Sequence, residues 1–312
     1  MKKNSKLFMF VVTLLIALFI SGCKPTLNPR INVYTRDTTS GTRDGFFTAI
    51  DMKEAVTDNS SLVDDYVELA GNGDIISAIK NDIYGIGYIS LSSLEGSTLK
   101  GLSYEGIAPN ETNVLNGTYL LKRNFNYIIR STYTTSTKQA IIEAFIAYLS
   151  TKEAKATIQS KDGIVSINPD DPSWNDIKVN FPITLEDNHD ITMMFGGSTS
   201  VEKIAKALSS EFSQKCGNFV TEHNHTGSGD AYKRTQGSEK DGANALDIGF
   251  SSREFKLLDS EPALLGTTGI ICVDAIVVVV HPDNVLNSIS QATLKSIYSG
   301  IMTTWKELES QQ

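Results

Sequence analysis

Arg36-Asp37-Thr38-Thr39-Ser40-Gly41-Thr42-Arg43 is the stretch that decides how this chain is read. The β-rich run Ile31 to Thr35 precedes it, and Thr42 to Ile50 can open a helix. It therefore joins a strand to a helix N-terminus, where the first N–H groups lack partners and carry partial positive charge. Small residues let an anion approach those groups, and Ser and Thr hydroxyls add donors. Two further stretches share the design. Gly196-Gly197-Ser198-Thr199-Ser200 follows a strand-like run, Ile191 to Phe195. It enters Val201 to Phe212, where Ile204, Leu208 and Phe212 recur every fourth residue as on one helix face. Thr226-Gly227-Ser228-Gly229-Asp230 precedes a third helix-like stretch. Any one of these alone reads as an ordinary cap or turn. Three in one chain shift the reading toward helix ends converging on a tetrahedral oxyanion. None carries the Gly-Lys-Ser/Thr ending of a nucleotide phosphate loop.

Outward from these turns, strand-like and helix-like runs alternate, which predicts an α/β fold. Gly85 to Ser90 reads as a strand, Thr118 to Arg130 as an extended segment, and Lys138 to Leu149 as a helix with apolar residues at helical spacing. Residues 168–190, rich in Pro, Asp and Asn, read as a connecting loop. Ile270 to Val280 reads as a buried strand pair, and Leu294 to Tyr298 as part of a short helix.

The chain has 312 residues, 40% of them hydrophobic and 21% charged. Disorder, collagen and a disulfide knot are excluded, and two lobes fit the length. Lys2, Lys3 and Lys6 precede an apolar run from Leu7 to Ile20, then Ser21, Gly22 and Cys23. This is the pattern of a secretory signal. Ile20-Ser21-Gly22-Cys23 also resembles a bacterial lipobox, which makes 1–22 a lipoprotein signal peptide, Cys23 a lipidated N-terminus and 23–30 a tether. An ordinary signal peptide or a short membrane anchor is the alternative. No later stretch approaches the ~20 apolar residues of a membrane span. Without 1–22 the chain carries 25 basic against 36 acidic residues, a charge of −11. That argues against nucleic-acid binding, which needs a basic surface. Cys216 and Cys272 could form a disulfide or remain buried thiols.

Ser40-Gly41-Thr42-Arg43 after Arg36 resembles the Arg-x-x-x-Ser-Gly-Thr signature of periplasmic phosphate-binding proteins, the substrate-binding components of phosphate ABC importers. Gly197 to Ser200, Thr226 to Gly229, and Asp247-Ile248-Gly249-Phe250-Ser251-Ser252-Arg253-Glu254 are similar to other turns of that family. So are Gly85 to Tyr88, Asn116 to Tyr119, and Tyr298-Ser299-Gly300 with Thr304-Trp305. The likeness spans nearly all of the chain beyond Cys23, but in a rotated order. The family begins at the Gly-Ser-Thr turn, here at residue 197, and reaches Ser-Gly-Thr-Arg past its middle, here at residue 40. A circular permutation accounts for this, with old ends joined through 168–190. A piece of a longer tandem gene is the alternative.

The resemblance implies a two-lobed α/β fold of the periplasmic-binding-protein type II class, with the ligand in the cleft between lobes. It places lobe one at 31–104 and 283–312, and lobe two at 105–282. By residue-wise match it implies that Arg36, Ser40, Gly41 and Thr42 bind from one lobe, and Ser198, Thr199 and Ser228 from the other. Arg36 would supply charge-assisted hydrogen bonds, its alternative being a surface ion pair with Asp37. Ser252 stands where many relatives carry an Asp that accepts the phosphate proton. Ser251 is a weaker neighbouring candidate. The implied activity is capture of inorganic phosphate outside the cell without catalysis or cofactor. The implied partners are an ABC permease and ATPase, and the protein would be a lipid-anchored monomer at the cell membrane. Receptors for sulfate, molybdate or tungstate, and a non-transport surface sensor or adhesion protein, are the alternatives. His223 and His225 lack a third ligand at metal spacing and read as a solvated loop. Tyr88 and Trp305 read as packing residues. No Ser-His-Asp pattern or Gly-x-Ser-x-Gly elbow is present.

Overall fold

Residues 28–309 are described by this computed structural model. The signal-like segment and Cys23 lie outside the described residues. In chain order, β1 (Asn32–Arg36) enters α1 (Gly41–Ala49), and β2 (Val67–Leu69) enters α2 (Asn72–Lys80). Then come β3 (Gly85–Ser90), α3 (Leu91–Leu94), β4 (Lys100–Gly101), β5 (Ser103–Tyr104), α4 (Glu111–Leu115) and β6 (Lys122–Ile129). The middle of the chain holds α5 (Ser136–Tyr148), α6 (Lys152–Gln159), α7 (Trp174–Ile177), β7 (Thr192–Gly197), α8 (Glu202–Lys215), β8 (Val220–His225) and α9 (Ser228–Thr235). It closes with β9 (Ile248–Ser251), β10 (Thr268–Val280), β11 (Ser288–Ile289), α10 (Gln291–Tyr298) and α11 (Trp305–Glu309).

One continuous sheet carries the fold, in the order β2-β1-β3-β10-β6-β9-β7-β8, with β4 added beside β10. Each half repeats one arrangement. In the first, β1 lies between its parallel neighbours β2 and β3; in the second, β7 lies between β8 and β9. The parallel pairs leave α1, α8 and α9 starting at the carboxyl ends of β1, β7 and β8, where open α/β sheets hold ligands. β10 is antiparallel to both halves: residues 268–275 pair with β6 and 276–280 with β3. The expected strand pair at 270–280 is thus a single 13-residue strand. Its first half faces solvent at Ile270 (61% exposed), and 275–280 are buried on both faces.

Among the described residues, two of the three apolar clusters follow the two halves; the third gathers Ile75, Ile79, Ile89, Leu99, Val277 and Val279. One core joins Val33, Phe46, Phe47, Tyr88, Leu102, Tyr104, Tyr119, Leu121, Ile276, Val278, Leu294, Tyr298 and Trp305. The other joins Phe125, Ile142, Phe145, Tyr148, Trp174, Phe195, Leu208, Phe212, Phe250 and Cys272. The packing changes over between Leu121 and Phe125 and between Cys272 and Ala275, with Ile164 from the middle stretch joining the first core.

Residues 168–190 are more ordered than a connecting loop. Ser173 caps α7 with a capping box. Buried Trp174 stacks on Phe181 and meets Tyr148 and Phe212 edge-on. The aromatic residues override the polar composition because they reach the second core. Cys216 and Cys272 are free and buried; burial pushes the Cys216 thiol up to about 12 and raises Cys272 as well. His223 and His225 lie on β8 rather than in a loop. At the chain's two ends, Ile31 N donates to Thr303 O at 2.8 Å and Trp305 N to Pro29 O at 3.1 Å, with a bridge between Arg30 and Thr304.

Candidate functional site

The three Gly/Ser/Thr turns converge. Ser40 caps α1: its hydroxyl oxygen accepts from the N–H groups of Thr42 and Arg43, which leaves its own proton for another acceptor. Thr42 Oγ1 lies 2.9 Å from Ser200 Oγ, which joins the first turn to the second. Gly229 N donates to Thr39 O at 3.2 Å, which joins the first turn to the third. Within the second half, Ser198 Oγ donates to Ser252 Oγ at 2.9 Å, and Ser228 Oγ lies 3.0 Å from the same oxygen. Ser252 N donates to Ser228 Oγ at 2.9 Å. Ser40, Thr42, Ser198, Ser200, Ser228 and Ser252 are all buried. Gly41 is needed at the meeting point: a Cβ there would stand 2.6 Å from Ser228 Oγ and 2.7 Å from Ser252 Oγ.

Arg36, at the end of β1, is 1% exposed. Its Nη2 donates to Ala70 O at 2.6 Å and to Thr199 Oγ1 at 3.3 Å, and its Nη1 to Asn72 Oδ1 at 3.3 Å. It makes no ion pair with Asp37, which instead accepts from Thr39. Its Nε is buried without a hydrogen-bond partner among the described residues. Burial, with the charge of Arg123 adding to it, pushes the Arg36 guanidinium below its ordinary value. Arg43 contrasts with it: Nε, Nη1 and Nη2 are spent on Ala55 O, Arg36 O and Asn59 Oδ1, and hold the end of β1.

All eight residues read from the sequence are therefore brought together: Arg36, Ser40, Gly41 and Thr42 from the first half, and Ser198, Thr199, Ser228 and Ser252 from the second. Ser251 is not among them, because its hydroxyl turns to Arg253 O at 2.7 Å. Sequence reasoning missed Asn72, Ser90, Ser92, Ser200, Arg123 and Asp274. Asn72 Nδ2 donates to Ser200 Oγ at 3.0 Å, and Ser92 Oγ to Ser200 O at 3.2 Å. A signal for Asp274 was available: one carboxylate inside the apolar run 270–280 demands a buried partner.

Tyr88 and Trp305 are packing residues. Tyr88 stacks on Phe46 at 4.0 Å, though its hydroxyl accepts from Arg36 N at 3.2 Å. Trp305 Nε1 donates to Tyr84 O at 3.1 Å. His225 Nδ1 lies 2.9 Å from Ser198 O, and its Nε2 3.1 Å from His223 Nδ1. His223 Nε2 reaches Ser209 Oγ at 2.9 Å. Burial beside His225 and Lys206 pushes His223 down to about 3, and burial lowers His225 as well. The site lies between two clefts. One of about 640 Å³ reaches it through Arg123 and Ser252, the other of about 500 Å³ through Asn72 and Thr199.

Residues 186–312 match the family model of the PBP superfamily domain. Over its length the chain is similar to the phosphate-binding protein PstS 2 of Streptococcus pneumoniae serotype 4, at 28% identity over 297 residues, 93% of this chain and 91% of the relative. It is also similar to the phosphate-binding protein PstS 2 of Streptococcus agalactiae serotype V, at 25% identity over 316 residues, 99% of each chain. Among solved structures, a phosphate-binding protein of a phosphate ABC transporter from Streptococcus pneumoniae TIGR4 aligns with a TM-score of 0.62 at 25% identity. It covers 89% of this chain and 99% of the other. The likeness to phosphate-binding proteins read from the motifs stands, and with it the two-lobed PBP-like α/β fold.

Proposed function

We propose that this chain captures inorganic phosphate outside the cell and presents it to the permease and ATPase of an ABC importer, binding without turnover. The observation that carries this is the meeting of the N-termini of α1, α8 and α9, with their hydroxyls, beside the buried guanidinium of Arg36. Dipoles and neutral donors hold an oxyanion there, which reconciles an anionic ligand with an acidic chain. Donors come from both halves, so the ligand favours the closed arrangement by differential contact. The named relatives support phosphate as the ligand. A lipid anchor at Cys23, a monomeric state and an outward-facing position at the cell membrane belong to the same proposal. Among the described residues no helix is long and apolar enough to cross a membrane. The seam between 29–31 and 303–305 supports the circular permutation, since old neighbours would remain together.

Ser252 favours a second reading, a receptor for another tetrahedral oxyanion. A hydroxyl at that position can donate to a fully ionised oxygen, where a carboxylate would repel it. Titration calorimetry on residues 24–312, stripped of anion at neutral pH, separates the two. Phosphate binding with weak sulfate binding is the expected result. Equal or tighter sulfate binding selects the second reading, and folded protein that binds neither anion sinks both.

A further inference from the structure

Arg123 opens β6 at the point where β10 changes partners, and the register sets it directly opposite Asp274. The two side chains are 5% and 0% exposed. Arg123 Nε and Nη2 donate to Asp274 Oδ2 at 3.2 and 3.0 Å, and Nη2 also donates to Ser200 Oγ at 3.1 Å. Asp274 Oδ1 accepts from Ser90 Oγ at 3.1 Å. Arg123 Nη1 is buried and has no hydrogen-bond partner among the described residues, as is true of Arg36 Nε.

Two guanidiniums thus flank one turn. Arg36 holds Thr199, Arg123 holds the adjacent Ser200, and each keeps a buried N–H unspent. A buried donor without an acceptor is costly, the more so beside a like charge. The two arginines do feel each other, since the charge of Arg123 contributes to the lowering at Arg36. Arg43 by contrast spends all three of its nitrogens on neighbours. Arg234 also keeps a buried Nη2 without a partner among the described residues, but its other nitrogens donate to Asn244 O and Asn224 O, whereas Arg36 and Arg123 share the turn at Thr199 and Ser200. Arg123 also lines the larger cleft together with Ser252, so its face toward the site is continuous with the route into it.

We infer that Arg123, paired with Asp274, is a second guanidinium of the anion site, so that the oxyanion is gripped by Arg36 from one side and Arg123 from the other. This deepens the phosphate-receptor reading and rests on it. With Asp274 balancing one of the two positive charges, the side chains leave one positive charge and three helix ends for the ligand. That suits a tetrahedral dianion.

The test compares phosphate titration of the wild type, R123K, and the doubly neutral R123Q/D274N. All three are stripped of anion and checked for folding by circular dichroism. The double change replaces a charged pair with a neutral hydrogen-bonding one, which avoids leaving a lone buried carboxylate. Its affinity for phosphate is expected to fall by roughly tenfold to a hundredfold, the loss of a charge-assisted hydrogen bond. R123K, which keeps the charge and loses the fork, is expected to fall between. Should R123Q/D274N not fold, R123K decides. Folded variants that bind phosphate within twofold of the wild type overturn the role of Arg123 and leave the receptor reading standing. A folded wild type that binds neither phosphate nor sulfate overturns both.

Discussion

A Cβ at Gly41 would displace the hydroxyls of Ser228 and Ser252 or hold the two halves apart, with Ser252 backbone carbon a further limit at 3.0 Å. Rotating those hydroxyls away would remove donors of the proposed anion site. Gly41→Ala sits at the first turn of α1, where Ala favours the helix, so the fold should survive. Phosphate affinity should drop by about tenfold to a hundredfold, the scale of overpacking a tight contact. Calorimetry on the folded variant checks this; wild-type affinity would show that the close approach is no part of binding. Residues of this kind were legible because a motif places them: glycine and hydroxyls between a strand and a helix have one shared chemistry. Arg123 was not legible, because its meaning depends on a partner 151 positions away. Alternation along β6 shows only that Arg123 and Phe125 share a face.

β10 makes one element common to both halves, and Asp274 sits where its pairing passes from β6 to β3. Burial raises the Asp274 carboxyl to about 6, against the opposing pull of Arg123. The folded state therefore holds this proton more tightly than the unfolded chain does. Stability from this group is greatest below about pH 4 and declines as pH rises toward 6. The effect is on the order of 2–3 kcal/mol at most. Asp274→Asn removes that slope. Denaturant melts of both proteins from pH 4 to 7 should show the wild type losing stability relative to the variant across this window. Parallel curves would show that Asp274 titrates normally. The strand itself was visible as an apolar run, yet its length was not. A single 13-residue strand and a strand pair have the same composition, and only pairing on two different neighbours explains why it runs unbroken.

At the scale of the whole molecule, the second core is drawn from one contiguous stretch, Phe125 to Cys272, and the first mainly from both ends of the chain, with Ile164 joining it from the middle. The two-lobed α/β fold followed from the motifs and their resemblance. The aromatic packing of 168–190 did not, because Trp174 and Phe181 find their partners only in three dimensions. The seam at 29–31 and 303–305 joins segments some 270 residues apart. Contacts of such separation form late, since loop closure must come before they stabilise anything. Once the contiguous half has folded, it bridges most of that distance and shortens the remaining closure. Pulse-labelled hydrogen exchange during refolding should therefore protect the amides of β7, β8 and β9 before those of β1. Simultaneous protection would sink this order. The consequence is a timetable: β1, the first of these strands to leave the ribosome, is the last to be fixed in place.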